Sequence, residues 1–375
     1  MIKILFIEDE DEEINEYEKI FNAKKEIEFK SIKPRKLKKY LEKKGNFPNI
    51  FLVDYDLTKD NYSNEFYDLY GGSVYNYLKQ RYANYPLILF SRYRDIDPSM
   101  IYLFDYFIVK KNLLKDFELY SNKLIEISTT FKKLANIKKR DRKKLFELLG
   151  IKTSSEEKIL LESAPVISNR DIIYQFKNNN MDKIDIKDID QWKITEVLKW
   201  IDRTLFAYPG IFYDSLHTAT YLRLSQKDFL TKEIQSLFID AKYEGIFSGL
   251  EDRWWKGRIE DRAYSFLKKN NMKIDLDYFP EAIEKSLDLE LEKAKCIGCG
   301  KDNANTICYV LEKPTLYKHS IPYYPDNRPG IMEIARVSYQ AILEGTKYNP
   351  DYIRSERKTV DNISSIMKEI KGDQD

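Results

Sequence analysis

Short runs of apolar residues, each ending in an acid or a hydroxyl and separated by helical patterns, leave the first third of this chain little choice of fold. Ile2 to Ile7 is apolar except for Lys3 and runs into Glu8 and Asp9, Ile50 to Val53 ends at Asp54, and Leu87 to Phe90 ends at Ser91. Strands this short and this uniformly apolar are buried on both faces, as in a parallel sheet. Between them, Ile14 to Phe21 and Val74 to Arg81 repeat apolar residues at helical spacing. Strand alternating with helix predicts a doubly wound α/β sheet whose ligand site lies at the carboxyl ends of the strands, where Glu8, Asp9, Asp54 and Ser91 all fall.

Carboxylates gathered at one sheet edge repel, and a hard cation with oxygen ligands, such as Mg²⁺, relieves that repulsion. The cation also lets a phosphoryl group approach an aspartate, which makes Asp54 a candidate nucleophile for an aspartyl phosphate. With these residues in place, the stretch 1–128 resembles the receiver domain of two-component response regulators. Glu8 and Asp9 match the acidic pair after the first strand, and Asp54 in LVDYDL matches the phosphoacceptor. Ser91 in LILFSR matches the hydroxyl residue after the fourth strand, Lys110 in DYFIVKK the lysine after the fifth, and Phe107 the switch aromatic.

The resemblance implies a flavodoxin-like, five-stranded receiver in which Glu8, Asp9, Asp54 and the backbone of Asp56 hold Mg²⁺. It implies that Ser91 and Lys110 bind phosphoryl oxygens and that the Phe107 ring repacks as they move inward. It also implies a histidine kinase or phosphotransfer protein as partner. Two departures stand out: Lys111 occupies the position where the family has proline, and an extra stretch, Thr58 to Tyr70, precedes Gly71-Gly72. The alternative is a degenerate receiver that keeps the fold without taking phosphate and serves as a docking or assembly module.

Beyond the receiver the reading is coarser. Residues 129–150 are expected to form a helical connector, 151–290 a mostly α-helical output domain, 291–345 a small zinc-binding segment and 346–375 a polar tail. Helical spacing from Leu113 through Leu134 predicts one long helix or two in tandem. Ser154 with Glu157 fits a capping box opening the output region. The segment Glu251 to Arg262, with Trp254 and Trp255 among acids and arginines, suits either an interaction surface or a buried tryptophan pair flanked by i,i+4 ion pairs, and the second is the plainer reading. The basic run Lys138 to Lys144 is read as a solvated helix face.

All three cysteines lie in one segment, Cys296 and Cys299 in a CxxC knuckle followed by Cys308 and then His319, one of the chain's 2 histidines. That order and spacing fit a closed tetrahedral Cys₃His zinc site of structural type. The alternative fourth ligand, His217, reads instead as a packing residue.

With 63 Lys+Arg against 61 Asp+Glu, the chain does not coat nucleic acid by bulk charge, so any such contact needs a local patch. No apolar run approaches a membrane span and no signal peptide is read, so a cytoplasmic protein is expected. The output is expected to bind a protein or a nucleic acid, and a homodimer is allowed. Enzymatic chemistry beyond phosphorylation and dephosphorylation of the receiver is not expected, although a receiver-gated hydrolase or nuclease stands as an alternative. No Walker loop, GxSxG elbow, HExxH or dinucleotide fingerprint is present.

Overall fold

The computed structural model describes residues 1–43, 47–58, 71–82, 85–93, 104–137, 142–163, 201, 205–206, 209–324, 333–345 and 353. Residues 59–70 of the extra stretch, 138–141 of the basic run, and the tail past 353 lie outside the described residues. The described residues fall in two compact units, one within Met1–Ile151 with Ile201 and Gly245–Leu250, the other within Lys152–Asp171, Asp202–Glu244 and Glu251–Asp375.

The first unit is built on the apolar runs. Strands β1 (Ile2–Ile7), β2 (Ile27–Ile32), β3 (Ile50–Asp54), β4 (Leu87–Ser91) and β5 (Tyr106–Val109) form one sheet in the order β2-β1-β3-β4-β5. Every pairing is parallel, with Ile4 beside Ile50, Phe51 beside Leu87 and Leu89 beside Phe107. This strand order is the flavodoxin-like one, with its switch point between β1 and β3. Strands β3 and β4 are buried at every residue, as their unbroken apolar sequence requires.

Helix α1 (Asp11–Asn22) covers one face through a buried stripe at Glu13, Tyr17 and Phe21, spaced four apart. Phe21 stacks on Phe29 with ring centroids 4.3 Å apart, and Tyr17 meets Phe90 edge-on at 5.1 Å. On the other face α2 (Leu37–Leu41) and α3 (Gly71–Tyr82) pack Leu37, Leu41, Val74, Tyr75 and Leu78 onto Leu5, Ile7, Phe51 and Val53. The tandem alternative for the long helix holds: α4 (Lys110–Lys115) stops and α5 (Phe117–Ala135) restarts at Asp116, whose side chain accepts from the Leu119 amide at 3.2 Å.

Gly71 opens α3 directly against the third strand. A Cβ there would stand 2.6 Å from the Asp54 carbonyl oxygen and 3.2 Å from Val53 Cγ1. Because the nearer atom is backbone, the clash has no cheap exit. We expect Gly71→Ala to destabilise the unit by about 1–3 kcal/mol and to displace Asp54, read as a lower denaturation midpoint.

The second unit is part helical and part sheet. Its first helix, α7 (Ser154–Ser163), follows α6 (Arg142–Leu148) of the first unit. The capping box at its start is set one residue before the expected pair: the Glu156 amide donates to Thr153 Oγ1 and Glu156 Oε2 accepts from the Thr153 amide, both at 3.2 Å. A core of Leu222, Phe229, Phe238, Trp254, Ile259, Ala263, Leu267 and Phe279 joins α8 (Ser215–Tyr221), α9 (Gln226–Phe229), α10 (Lys232–Leu237), α11 (Lys256–Lys269) and α12 (Phe279–Leu287). A two-stranded ribbon, β6 (Phe212–Tyr213) with β7 (Trp254–Trp255), borders it.

The cysteine-bearing segment is not all loop. Strands β8 (Thr306–Cys308), β9 (Lys313–Thr315), β10 (Ser320–Tyr323) and β11 (Ala335–Ser338) make a four-stranded sheet in the order β10-β11-β8-β9, and α13 (Tyr339–Leu343) follows it. Among the described residues no helix is long and apolar enough to cross a membrane.

Candidate functional site

The parallel sheet delivers three expected site residues to one edge because each is the last residue of a strand or the first beyond it. Glu8 follows β1 and is fully buried, Asp54 closes β3 at 5% exposure, and Ser91 closes β4 at 1%. Lys110 is the first residue of α4 immediately past β5, 3% exposed. Its ammonium lies 2.7 Å from Glu8 Oε2 and 2.7 Å from Asp54 Oδ1, and it also donates to Glu13. Phe6 and Phe90 wall it in, their ring centroids 5.7 and 5.6 Å from the nitrogen.

Each acid is held from its other side. Glu8 Oε1 accepts from the amides of Asp9 and Glu10 at 2.8 and 3.1 Å, and Asp54 Oδ2 accepts from the Asp56 amide at 3.0 Å. Asp56 in turn accepts from the Thr58 amide at 3.2 Å, and Asp9 is buried beside Glu8. Ser91 Oγ accepts from the Tyr93 amide at 3.0 Å, which fixes the hydroxyl at the sheet edge. Phe107 lies on β5, half-buried against the cluster that includes Leu89 and Phe104.

Sequence reasoning missed Glu13. It sits among Asp11 and Glu12 in the first turn of α1, where acids are favoured by the helix dipole and attract no notice. The available signal was register: Glu13 occupies the core stripe with Tyr17 and Phe21, a place for an apolar side chain. Its carboxylate forms a group with those of Glu8 and Asp54, one oxygen of each lying within 4.8 Å of the other two. Arg92, next to Ser91, donates to Glu13 and to Glu10.

Crowding of buried acids around one lysine divides their protonation. Burial and the Asp54 charge push Glu8 up to about 9. Burial likewise raises Asp54 to about 6, with Lys110 pulling the other way. Burial also opposes ionisation of Glu13, but hydrogen bonds from Glu8, Lys110 and Arg92 outweigh it and hold that carboxyl below its usual range. Lys110 loses solvent too, yet the charges of Asp54 and Glu8 keep it above the ordinary lysine value. An all-oxygen donor set of this kind fits a hard cation such as Mg²⁺.

The second cluster also departs from expectation by one residue. Cys296, Cys299 and His319 are buried with their donor atoms within 4.8 Å of one another, and Cys296 Sγ stands 3.5 Å from His319 Nδ1. The knuckle turns at Gly300, whose φ is +70° and whose amide donates to the Cys296 carbonyl at 2.8 Å. Burial opposes thiolate formation at Cys296, but the Leu316 amide, the Thr315 hydroxyl and the knuckle amides point at its sulfur and bring the thiol below its usual value. Burial raises Cys299 and lowers His319, the latter helped by Lys318 and Lys301. Two cysteine sulfurs and an imidazole held toward its neutral form are a donor set that fits zinc.

Cys308 is not brought to this cluster. Strand β8 carries it into a different core with Ile321, Tyr323 and Val337, where its sulfur accepts from the Ser338 amide and hydroxyl at 3.3 and 3.2 Å. The expected Cys₃His set therefore reduces to two cysteines and a histidine among the described residues.

The weaker signals resolve locally. Trp254 and Trp255 are buried at 1% and 3% exposure, as the plainer reading held. Two of the three arginines pair at long range rather than at i,i+4, Arg258 holding Glu156 with two bonds of 2.5 and 2.8 Å and Arg262 meeting Asp240, while Arg253 pairs with Glu251 at 2.6 Å. His217 is fixed by Asp214, which caps α8 and lies 2.9 Å from its Nδ1.

No protein-family model and no curated protein matches the chain. Among solved structures it is similar to the response regulator protein TrrA of Thermotoga maritima in complex with Mg(2+)-BeF, at 16% identity over 34% of this chain and 98% of that one, with a TM-score of 0.25. It is similar to a CheY-like response regulator receiver domain protein from Methanospirillum hungatei at 16% identity, covering 36% and 98% with a TM-score of 0.26. It is also similar to the RcsB response regulator of Salmonella typhimurium at 10% identity, covering 53% and 91% with a TM-score of 0.28. What this chain's own strand pairings define is the fold: the N-terminal unit is a flavodoxin-like, doubly wound parallel five-stranded sheet.

Proposed function

We propose that this protein is a phosphoryl-controlled signalling protein in which Asp54 accepts the phosphoryl group and the C-terminal unit gives the output by binding a protein or a nucleic acid. The observation that carries the reading is the convergence on Asp54: Lys110 stands 2.7 Å from its carboxylate, and Ser91 ends the neighbouring strand. In the reaction an Asp54 oxygen attacks phosphorus of a phosphohistidine or small acyl phosphate. The phosphorus–leaving-group bond breaks, its electron pair leaves with the donor, and water later returns the carboxylate. Lys110 and the Ser91 hydroxyl supply donors for the phosphoryl oxygens. Mg²⁺, when bound by Glu8, Asp9, Asp54 and the Asp56 backbone, offsets the negative charge of the incoming group. In the output unit Cys296, Cys299 and His319 would hold Zn²⁺, which would tie the knuckle to the segment before β10.

The test is a fluorescence titration with beryllofluoride and Mg²⁺, joined to intact-protein mass after incubation with acetyl phosphate. Saturable binding and a phosphoryl adduct by the wild type, both lost in Asp54→Asn, are the expected results. A folded wild type that shows neither favours a second reading, an unphosphorylated receiver used for assembly. One observation supports that alternative: the Lys110 ammonium already engages Glu8, Glu13 and Asp54 together.

A further inference from the structure

We propose that Glu13 is a positioning residue that holds the site's two cations in the resting state and so sets how readily Asp54 takes a phosphoryl group. The proposal rests on the phosphoacceptor reading and goes beyond it by naming a residue outside the matched positions.

An ammonium has three N–H donors. Those of Lys110 face three carboxylates, Glu8 and Asp54 at 2.7 Å each and Glu13. Glu13 also takes the Arg92 guanidinium, which its own place in the chain attaches to Ser91 at the end of β4. One buried carboxylate on α1 thus ties together the lysine after β5 and the residue beside the site hydroxyl.

A phosphoryl group arriving at Asp54 brings charged oxygens that need these same donors. It also meets a negative charge, since one Glu13 oxygen lies within 4.8 Å of an oxygen of Asp54 and of an oxygen of Glu8. Glu13 opposes phosphorylation twice, by competing for the cations and by repelling the group that would use them. At such a separation, in a site this poor in water, one unit charge is worth well over a factor of ten in an equilibrium constant. Glu8 differs, because its second oxygen is satisfied by the Asp9 and Glu10 amides.

The experiment compares wild type, Glu13→Gln and Glu13→Met in two titrations, Mg²⁺ alone and beryllofluoride at saturating Mg²⁺. Gln keeps shape and hydrogen bonding, and Met keeps the apolar stripe with Tyr17 and Phe21 should Gln fail to fold. The expected result is a beryllofluoride affinity about tenfold or more higher in the variant, with Mg²⁺ affinity unchanged or lower. A merely structural role would not separate the two titrations in this way. Binding by the variant where the wild type shows none would support the proposal in its strongest form. If the wild type binds and a folded variant binds no better, Glu13 does not restrain the site and the proposal is overturned. If neither binds, the phosphoacceptor reading falls and the proposal falls with it, a result distinct from the previous one.

Discussion

Replacing Lys79 with methionine is expected to destabilise the N-terminal unit by about 3–5 kcal/mol, the usual consequence of removing one partner from a buried ion pair. Lys79 and Asp105 are 4% and 0% exposed in their side chains and stand 3.3 Å apart. The carboxylate also anchors backbone, since Asp105 Oδ2 accepts from the Leu87 amide at 2.9 Å while its own amide donates to the Leu87 carbonyl at 2.9 Å. It therefore fixes the approach to β5 against the start of β4, and hence the register that sets Ser91 beside Val109. Methionine keeps the length and apolar stem that pack near Tyr75 but leaves a buried charge without its ammonium. The double variant Lys79→Met with Asp105→Asn is expected to recover much of the loss, because a neutral pair has far less to desolvate. Urea denaturation of the single and double variants reads this directly. A single variant within 0.5 kcal/mol of wild type, the range of an ordinary surface substitution, would show that the ion pair does not hold this register.

Neither partner of that pair was legible in the sequence, and the reason is general to this chain. Strands β3 and β4 were read because they are apolar at every position except their last, a pattern with few alternative explanations, whereas β2, with Glu28, Lys30 and Ser31 among its six residues, was not. The residues at strand ends were read because the strands were. Glu13 and Lys79 were not, because each is a charged residue on a helix that carries other charges, and only its register with the buried stripe sets it apart. Cys308 was misplaced for a related reason: metal-ligand spacing counts residues between donors, while the strand containing Cys308 decides which way its sulfur points. The small sheet escaped notice because its strands span three or four residues and carry Pro314 and Pro322. Both prolines fall on β9 and β10, the two edge strands, where a missing amide costs no ladder bond.

The same segment yields the other large expected effect. Cys299→Ser, or removal of metal with a chelator, is expected to abolish stoichiometric zinc and to lower the thermal transition of the C-terminal unit. Binding of structural zinc contributes directly to folding, and losing even an outer partner of a metal ligand lowers affinity by about 10–100-fold, so loss of a thiolate should exceed that range. Cys308→Ala separates the observed geometry from the spacing argument. It removes a sulfur bound to Ser338 in a different core, so zinc measured by elemental analysis should stay at one per chain while stability falls modestly. Equal loss of zinc in both variants would restore the Cys₃His set; no zinc in the wild type would leave a CxxC dithiol. A zinc ion bound there would find three protein donors among the described residues, and its fourth position would be left to water or to a residue outside them. Cobalt substitution discriminates these: its visible bands report whether the shell is tetrahedral, and their response to an added anion reports whether that fourth position is open to solvent.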